Sequence, residues 1–249
     1  MPDPSPRVGV IVPAAGAGRR LGGREAKALV GLGERPLLAW ALAGVEANHC
    51  VDSVVVVTHP SIAGAVAELV AVRGFAKVAA VVPGGPTRRA SVAAGLAALP
   101  AGSAYAAVHD ACRPLVATGA IDRLLEALQA MEGRYGIAPG TPVTDTVRRV
   151  GDGDCSGGIV DREELRAIQT PQLYLRWALT EAHRRPVSAG EAGEVDDAVL
   201  VERAGYPVAV VPGEPENLKI TTPADLLAAE ALLARAARIA QATPGGASW

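Results

Sequence analysis

Residues 8–27, VGVIVPAAGAGRRLGGREAK, constrain this chain more than any other stretch. An apolar run ends at Pro13 and passes into a loop with Gly16, Gly18, Gly22 and Gly23. The same loop carries Arg19, Arg20, Arg24 and Lys27. A buried strand feeding a glycine-rich basic loop is a device for holding phosphate. Glycine lets backbone N–H groups approach the anion, and the cations neutralise it. Two common versions fail on particular residues. The dinucleotide fingerprint needs glycine where Leu21 stands, and the next strand ends in Thr58 and His59, with no acid for a ribose. The P-loop needs Gly-Lys-Ser/Thr, whereas Lys27 lies between Ala26 and Ala28. What remains is a loop more positive than dinucleotide binding requires, which suits a triphosphate.

Composition sharpens that reading. Of 24 basic residues, only Lys27, Lys77 and Lys219 are lysines. A chain that otherwise uses arginine has placed in its glycine loop the compact point charge suited to a phosphate oxygen. The plain alternative is a lysine on a solvated surface. Net charge is -2, so no global field favours nucleic acid or a membrane, and any anion site must be local. No apolar run reaches the roughly 18 residues needed to span a bilayer. The opening MPDPSPR lacks the apolar core of a signal peptide. Cys50, Cys112 and Cys155 are odd in number and without metal-type spacing, so a reducing, cytoplasmic setting is expected.

Apolar runs alternate with helix-like stretches. Strands are predicted at 8–13, 53–58, 78–82, 105–109 and 135–139, with helices at 36–47, 62–72, 89–99 and 121–131. This alternation predicts an α/β fold: a mostly parallel sheet with helices on both faces, ligands binding beyond the carboxyl ends of its strands. Between about 140 and 163 the pattern becomes β-rich and polar, and reads as a hairpin arm about the turn GDGDCSG. A lone hairpin is marginal in water, so it packs either on a second subunit or on its own domain. Helices at 174–184, 196–204 and 223–240 and a strand at 207–211 follow. Residues 1–249 read as one domain, with 243–249 as a flexible tail.

Further candidate residues fall at loops after these strands. Gly84, Gly85, Pro86 and Arg88 follow the third strand, and Ser91 is either an N-cap or first-turn helix residue or reads a base. Asp110 lies just past the fourth strand, where an acid can hold Mg²⁺ or a hydroxyl; a solvated loop acid is the alternative. His109 reads as a packing residue, and Arg113 as a substrate contact or a partner of Asp110. On the arm, Thr146 is either a phosphate contact or simply a residue that strands favour, and Arg162 by default is a surface charge. Thr170 follows. Lys219, in NLKITTP, reaches phosphate only if the chain end folds back beside Lys27. Thr221 or Thr222 reads as a helix cap, and the pair Asp196–Asp197 as first-turn helix acids.

In this order and at these intervals, PAAGAGRR, Lys27, GGPTRRAS, HDACRP, DT, DR, TPQ, DDA and NLKIT resemble the 2-C-methyl-D-erythritol 4-phosphate cytidylyltransferases of the non-mevalonate isoprenoid pathway, over residues 7–235. AAGxGxR alone is shared by many sugar nucleotidyltransferases; the ordered set is specific. The resemblance implies a Rossmann-like domain, a homodimer formed through the β-arm, CTP and 2-C-methyl-D-erythritol 4-phosphate as substrates, and Mg²⁺. It implies that Arg20 and Lys27 stabilise charge at the α-phosphate. Arg162, reaching into the partner's site, and Lys219 would position the acceptor phosphate, with Thr146 and Thr170 in the same pocket. Pro13, Ala14, Ala15, Gly16 and Gly18, with Gly84, Gly85, Pro86, Arg88 and Ser91, would receive the nucleotide. Asp110, Ala111 and Arg113 would lie at the ribose, metal and acceptor. Several positions depart from the family pattern: Ala26 and Ala28 flank the loop lysine, Pro86 and Ala90 stand where acids are common, Cys112 replaces alanine as a candidate reactive thiol, and Val195 replaces threonine. These leave the cations intact and bear on base selectivity. A cytidylyltransferase for another polyol phosphate, such as ribitol 5-phosphate, and a non-catalytic nucleotide-binding module are the alternatives.

Overall fold

A computed structural model describes residues 7–16, 26–151, 156–186 and 196–242. Its frame is one eight-stranded sheet. Strand β1 (Val8–Pro13) runs parallel to β4 (Val51–Thr58) on one side and to β6 (Tyr105–Val108) on the other. Beyond β4 lies β5 (Val78–Pro83), again parallel. A minor hairpin, β2 (Gly31–Leu32) and β3 (Arg35–Pro36), forms a sheet of its own. On the far side of β6, β11 (Gln172–Leu175) is antiparallel to both β6 and β7 (Gly136–Pro142). Strand β10 (Arg166–Ile168) is antiparallel to β7, and β12 (Val208–Pro212) is parallel to it.

Side-chain alternation along β1 explains why both faces are covered. Val8, Val10 and Val12 pack, with Val54 and Val56, against Leu38 and Leu42 of α1 (Leu37–Glu46), Val66 of α2 (Ala63–Arg73) and Leu124 of α4 (Ala120–Gln129). Ile11 points the other way. It packs, with Val55, Val57 and Val108, against Val92 and Leu96 of α3 (Arg88–Ala98), Leu179 of α5 (Arg176–Arg184) and Val201 of α6 (Asp197–Arg203). A strand buried on both faces must be apolar at every position, which is what VGVIVP supplies. Gly95 lets α3 lie close on the sheet: a Cβ there would come within 2.4 Å of Ile11 Cγ2.

The predicted elements form within a few residues of their expected ends; the structure adds the short β2–β3 hairpin and differs at two further places. Residues 172–175 are strand, not the start of a helix; Tyr174 is fully buried in β11, and the helix begins at Arg176. Strand β10 was not anticipated either. Both are short and pair with partners distant in sequence, so no local periodicity marks them. Strands β8 (Val147–Val150) and β9 (Ser156–Val160) form the expected antiparallel hairpin as a two-stranded sheet of their own. The long helix α7 (Pro223–Ala242) starts with a reciprocal cap: Thr222 Oγ1 accepts from Asp225 N–H, and Asp225 Oδ2 accepts from the N–H groups of Thr221 and Thr222. A small cluster of Leu32, Leu37, Leu115, Ile220 and Ala229 ties α7 and the segment before it to the body. The expected tail at 243–249 lies outside the described residues.

Candidate active site

The chain leaves β1 toward β4 and β5, then returns to the other side of β1 at β6. Loops beyond the carboxyl ends of these strands diverge there and open a crevice. It is a cavity of about 600 Å³, lined by Pro13–Gly16 after β1, by Lys27 and Ala28, by 85–88 and Ser91 after β5, by 110–112 after β6, and by Lys219. Backbone bonds pin these loops. Ala14 N–H donates to Val57 O at 2.6 Å, and Gly84 N–H to Thr58 O at 2.8 Å. The double glycine is required by packing, since a Cβ on Gly84 would lie 2.8 Å from Ser91 Oγ and one on Gly85 2.4 Å from Ala90 Cβ.

Ser91 is a first-turn residue of α3, not its cap. Thr87 is the N-cap, its hydroxyl accepting from Ala90 N–H at 3.1 Å. Ser91 is buried, and its Oγ accepts from Gly85 N–H at 3.2 Å while lying 3.0 Å from Thr87 O. The hydroxyl therefore fixes the shape of the glycine turn.

Asp110 is the electrostatic centre of the cavity. Lys219 Nζ lies 2.7 Å from its Oδ2, and Arg88 Nη2 3.5 Å from its Oδ1. Burial alone would raise this carboxyl, but the Arg88 and Lys219 charges outweigh it and hold the pKa down to about 2. Lys219 arrives because the chain end does fold back: Ile220 N–H donates to Cys112 O at 2.8 Å. Lys27 lines the same cavity from a short 3-10 turn. Burial, followed by the Asp110 charge, pushes the Cys112 thiol up despite Lys27 and Lys219, which works against a reactive thiolate there.

Arg113 and Thr170, expected at the substrate, form the wall behind the cavity. Arg113 is 7% exposed and donates to the carbonyls of Asn217 at 2.7 Å and Ile168 at 3.2 Å. It staples these segments together, and its charge also helps hold the Asp110 carboxyl down. Thr170 Oγ1 accepts from the Asp110 N–H at 2.9 Å and contacts His109 Nδ1 at 3.3 Å. His109, fully buried, donates through Nε2 to Arg113 O at 3.1 Å; burial lowers its pKa to about 4, which keeps it neutral. It packs, as its sequence context implies.

Thr146 and Arg162 do not line this chain's own cavity. Both are exposed on the hairpin segment, where Arg162 donates to Thr144 O at 2.6 Å. Arg20 and Gly18 lie outside the described residues, as does Val195. Asp197 is the residue whose role sequence reasoning missed. Asp196 is the N-cap of α6, but Asp197 is 0% exposed and pairs with Arg88 Nη1 at 2.6 Å and His183 Nε2 at 3.0 Å. A helix-first-turn acid is ordinarily solvated, and the arginine and histidine that other helices bring to it mark this one as different.

Lys27, Lys219, Arg88 and one acid, Asp110, in a crevice at the switch of a parallel sheet suit a nucleotide, and comparison with known proteins agrees. The family model for 2-C-methyl-D-erythritol 4-phosphate cytidylyltransferase matches residues 8–235. The protein of that name from Streptomyces coelicolor is 40% identical over 92% of this chain and 86% of its own length. The one from Nocardia farcinica is 43% identical over 92% and 95%. The crystal structure of the Thermus thermophilus protein of the same name superposes with a TM-score of 0.70 at 37% identity, covering 90% of this chain and 98% of that one. By sequence along nearly its whole length and by fold, the chain belongs to the 2-C-methyl-D-erythritol 4-phosphate cytidylyltransferase family.

Proposed function

We propose that this chain transfers a cytidylyl group from CTP to 2-C-methyl-D-erythritol 4-phosphate. A phosphate oxygen of the acceptor attacks the α-phosphorus in line. The new O–P bond forms as the bond from the α-phosphorus to the bridging oxygen breaks, and pyrophosphate leaves with that oxygen and its electron pair. The nucleophile is already an anion, so no strong base is needed; the difficulty is holding two highly charged groups together. The observation that carries the reading is the convergence of Lys27, Lys219 and Asp110 on one cavity with the backbone of Pro13–Gly16. Lys27, with Arg20, stabilises charge on the α-phosphate, and Lys219 holds the acceptor phosphate. Gly85, Pro86 and the backbone of Ala14–Gly16 form the nucleotide's seat.

Asp110 is the one carboxylate among the described residues lining the cavity, and no cluster of three metal-ligating side chains exists among them. That fits a Mg²⁺ ion carried in on the triphosphate, which needs only one or two protein carboxylates, and not a protein-caged ion. Asp110 would hold it, and the ion's contribution when bound is neutralisation of phosphate charge.

The reading includes a homodimer. Val150 and Ile159 are 71% and 69% exposed on a hairpin that forms a sheet only with itself, which favours burial against a second copy. Arg162 and Thr146 would then complete the partner's site. A cytoplasmic setting accompanies this reading; no helix among the described residues is long and apolar enough to cross a membrane. The test is pyrophosphate release with CTP, ATP, GTP or UTP against 2-C-methyl-D-erythritol 4-phosphate or ribitol 5-phosphate. Release that requires the CTP and methylerythritol phosphate pair is expected. Faster turnover of ribitol 5-phosphate would reassign the acceptor, and tight CTP binding without product would make the chain a sensor.

A further inference from the structure

Asp197 is the most deeply buried acid near the cavity, yet it does not touch it. One of its oxygens takes Arg88 Nη1 at 2.6 Å and the other takes His183 Nε2 at 3.0 Å. Arg88, at the first turn of α3, thus stands between two carboxylates on unequal terms. Its second nitrogen is turned to Asp110 Oδ1 at 3.5 Å, beyond good hydrogen-bond distance. Asp110 Oδ2 is taken by Lys219 at 2.7 Å, so Oδ1 is the open valence of the cavity's one carboxylate. The charges alternate in a row: Asp197, Arg88, Asp110, Lys219.

We infer that Asp197 is a positioning residue that holds Arg88 back from Asp110 and so keeps Asp110 Oδ1 open to a divalent cation arriving with the nucleotide. This rests on reading the cavity as the CTP site. Three helices build the restraint. Asp197 lies at the start of α6, where the helix dipole favours a carboxylate. His183 comes from the last turn of α5 and occupies the second oxygen, so Asp197 cannot rotate toward Asp110. Arg88 comes from α3. Its side chain is 19% exposed, and in a site so little hydrated a guanidinium without its first partner moves to the next carboxylate. With both oxygens of Asp110 covered, a cation must displace an arginine to bind.

The test is Mn²⁺ binding to the full chain saturated with CTP, read by electron paramagnetic resonance. Asp197→Asn is expected to raise the Mn²⁺ dissociation constant about tenfold, because Arg88 closes on Asp110. Asp197→Asn combined with Arg88→Met is expected to return it to within about twofold of the unmodified protein, because the competitor is gone. A packing role alone would leave the double variant as weak as the single one or weaker. The double variant also serves if the single one does not fold, since it leaves no unpaired buried ion. Mn²⁺ affinity unchanged in Asp197→Asn, or a tenfold loss persisting in the double variant, overturns the inference. An unmodified protein that binds no CTP would instead sink the functional reading beneath it.

Discussion

Acid should destabilise this protein through His109 before it reaches the carboxylates. The ring is fully buried and both nitrogens are committed. Nε2–H donates to Arg113 O, and Nδ1 receives the Thr170 hydroxyl, whose oxygen in turn accepts from Asp110 N–H. Protonation would place a second N–H where a donor already points. Burial lowers the folded-state pKa to about 4, against about 6.5 when unfolded. Because the folded value is the lower one, the unfolded chain binds the proton first, and the stabilisation present above pH 6.5 is lost as pH falls toward 4. Between pH 7 and pH 5 the loss is about 2 kcal/mol, from 1.36 kcal/mol per pH unit over the interval in which only the unfolded ring is charged. Asp110, held near 2, contributes little in that window. Urea unfolding at pH 7 and pH 5 should show this drop, and His109→Gln, whatever its absolute stability, should remove most of it. Equal losses in the variant and the unmodified protein would refute the argument.

Three further outcomes follow from the geometry. Lys27→Ala should lower kcat by about 10²–10³, the cost of removing one preorganised transition-state donor; steady-state pyrophosphate release measures it, and a loss under tenfold would remove Lys27 from the chemistry. Mixing Arg162→Ala subunits with Lys27→Ala subunits should restore activity that neither has alone, because one site of the mixed dimer is then intact; no recovery would place Arg162 in its own chain's site. Gly95→Ala should cost about 1–3 kcal/mol in denaturant unfolding, because its methyl would meet Ile11 Cγ2 at 2.4 Å between two packed layers.

Much of this protein is legible without coordinates, because its strongest signals are local. A strand buried on both faces must be apolar throughout, so VGVIVP announces β1, and the glycines and cations after it announce an anion. Loops at the carboxyl ends of parallel strands carry Asp110 and Gly85 to the crevice because the alternation of strand and helix leaves them nowhere else. The hairpin at 147–160 follows from local pattern in the same way.

What chain order cannot convey is which distant groups meet. Nothing near Tyr174 distinguishes a helix start from a strand; its pairing with Ala106, 68 residues earlier, decides it. Arg113 shows in sequence only as a cation near Asp110; that two carbonyls from distant segments converge on its guanidinium is decided by packing. Asp197 looks like an ordinary helix acid and becomes buried because α3 brings Arg88 to it. Hydrophobic periodicity is a property of neighbours along the chain, so it survives in sequence. The partner of a buried charge is set by how whole layers pack, and that information exists only once they have packed.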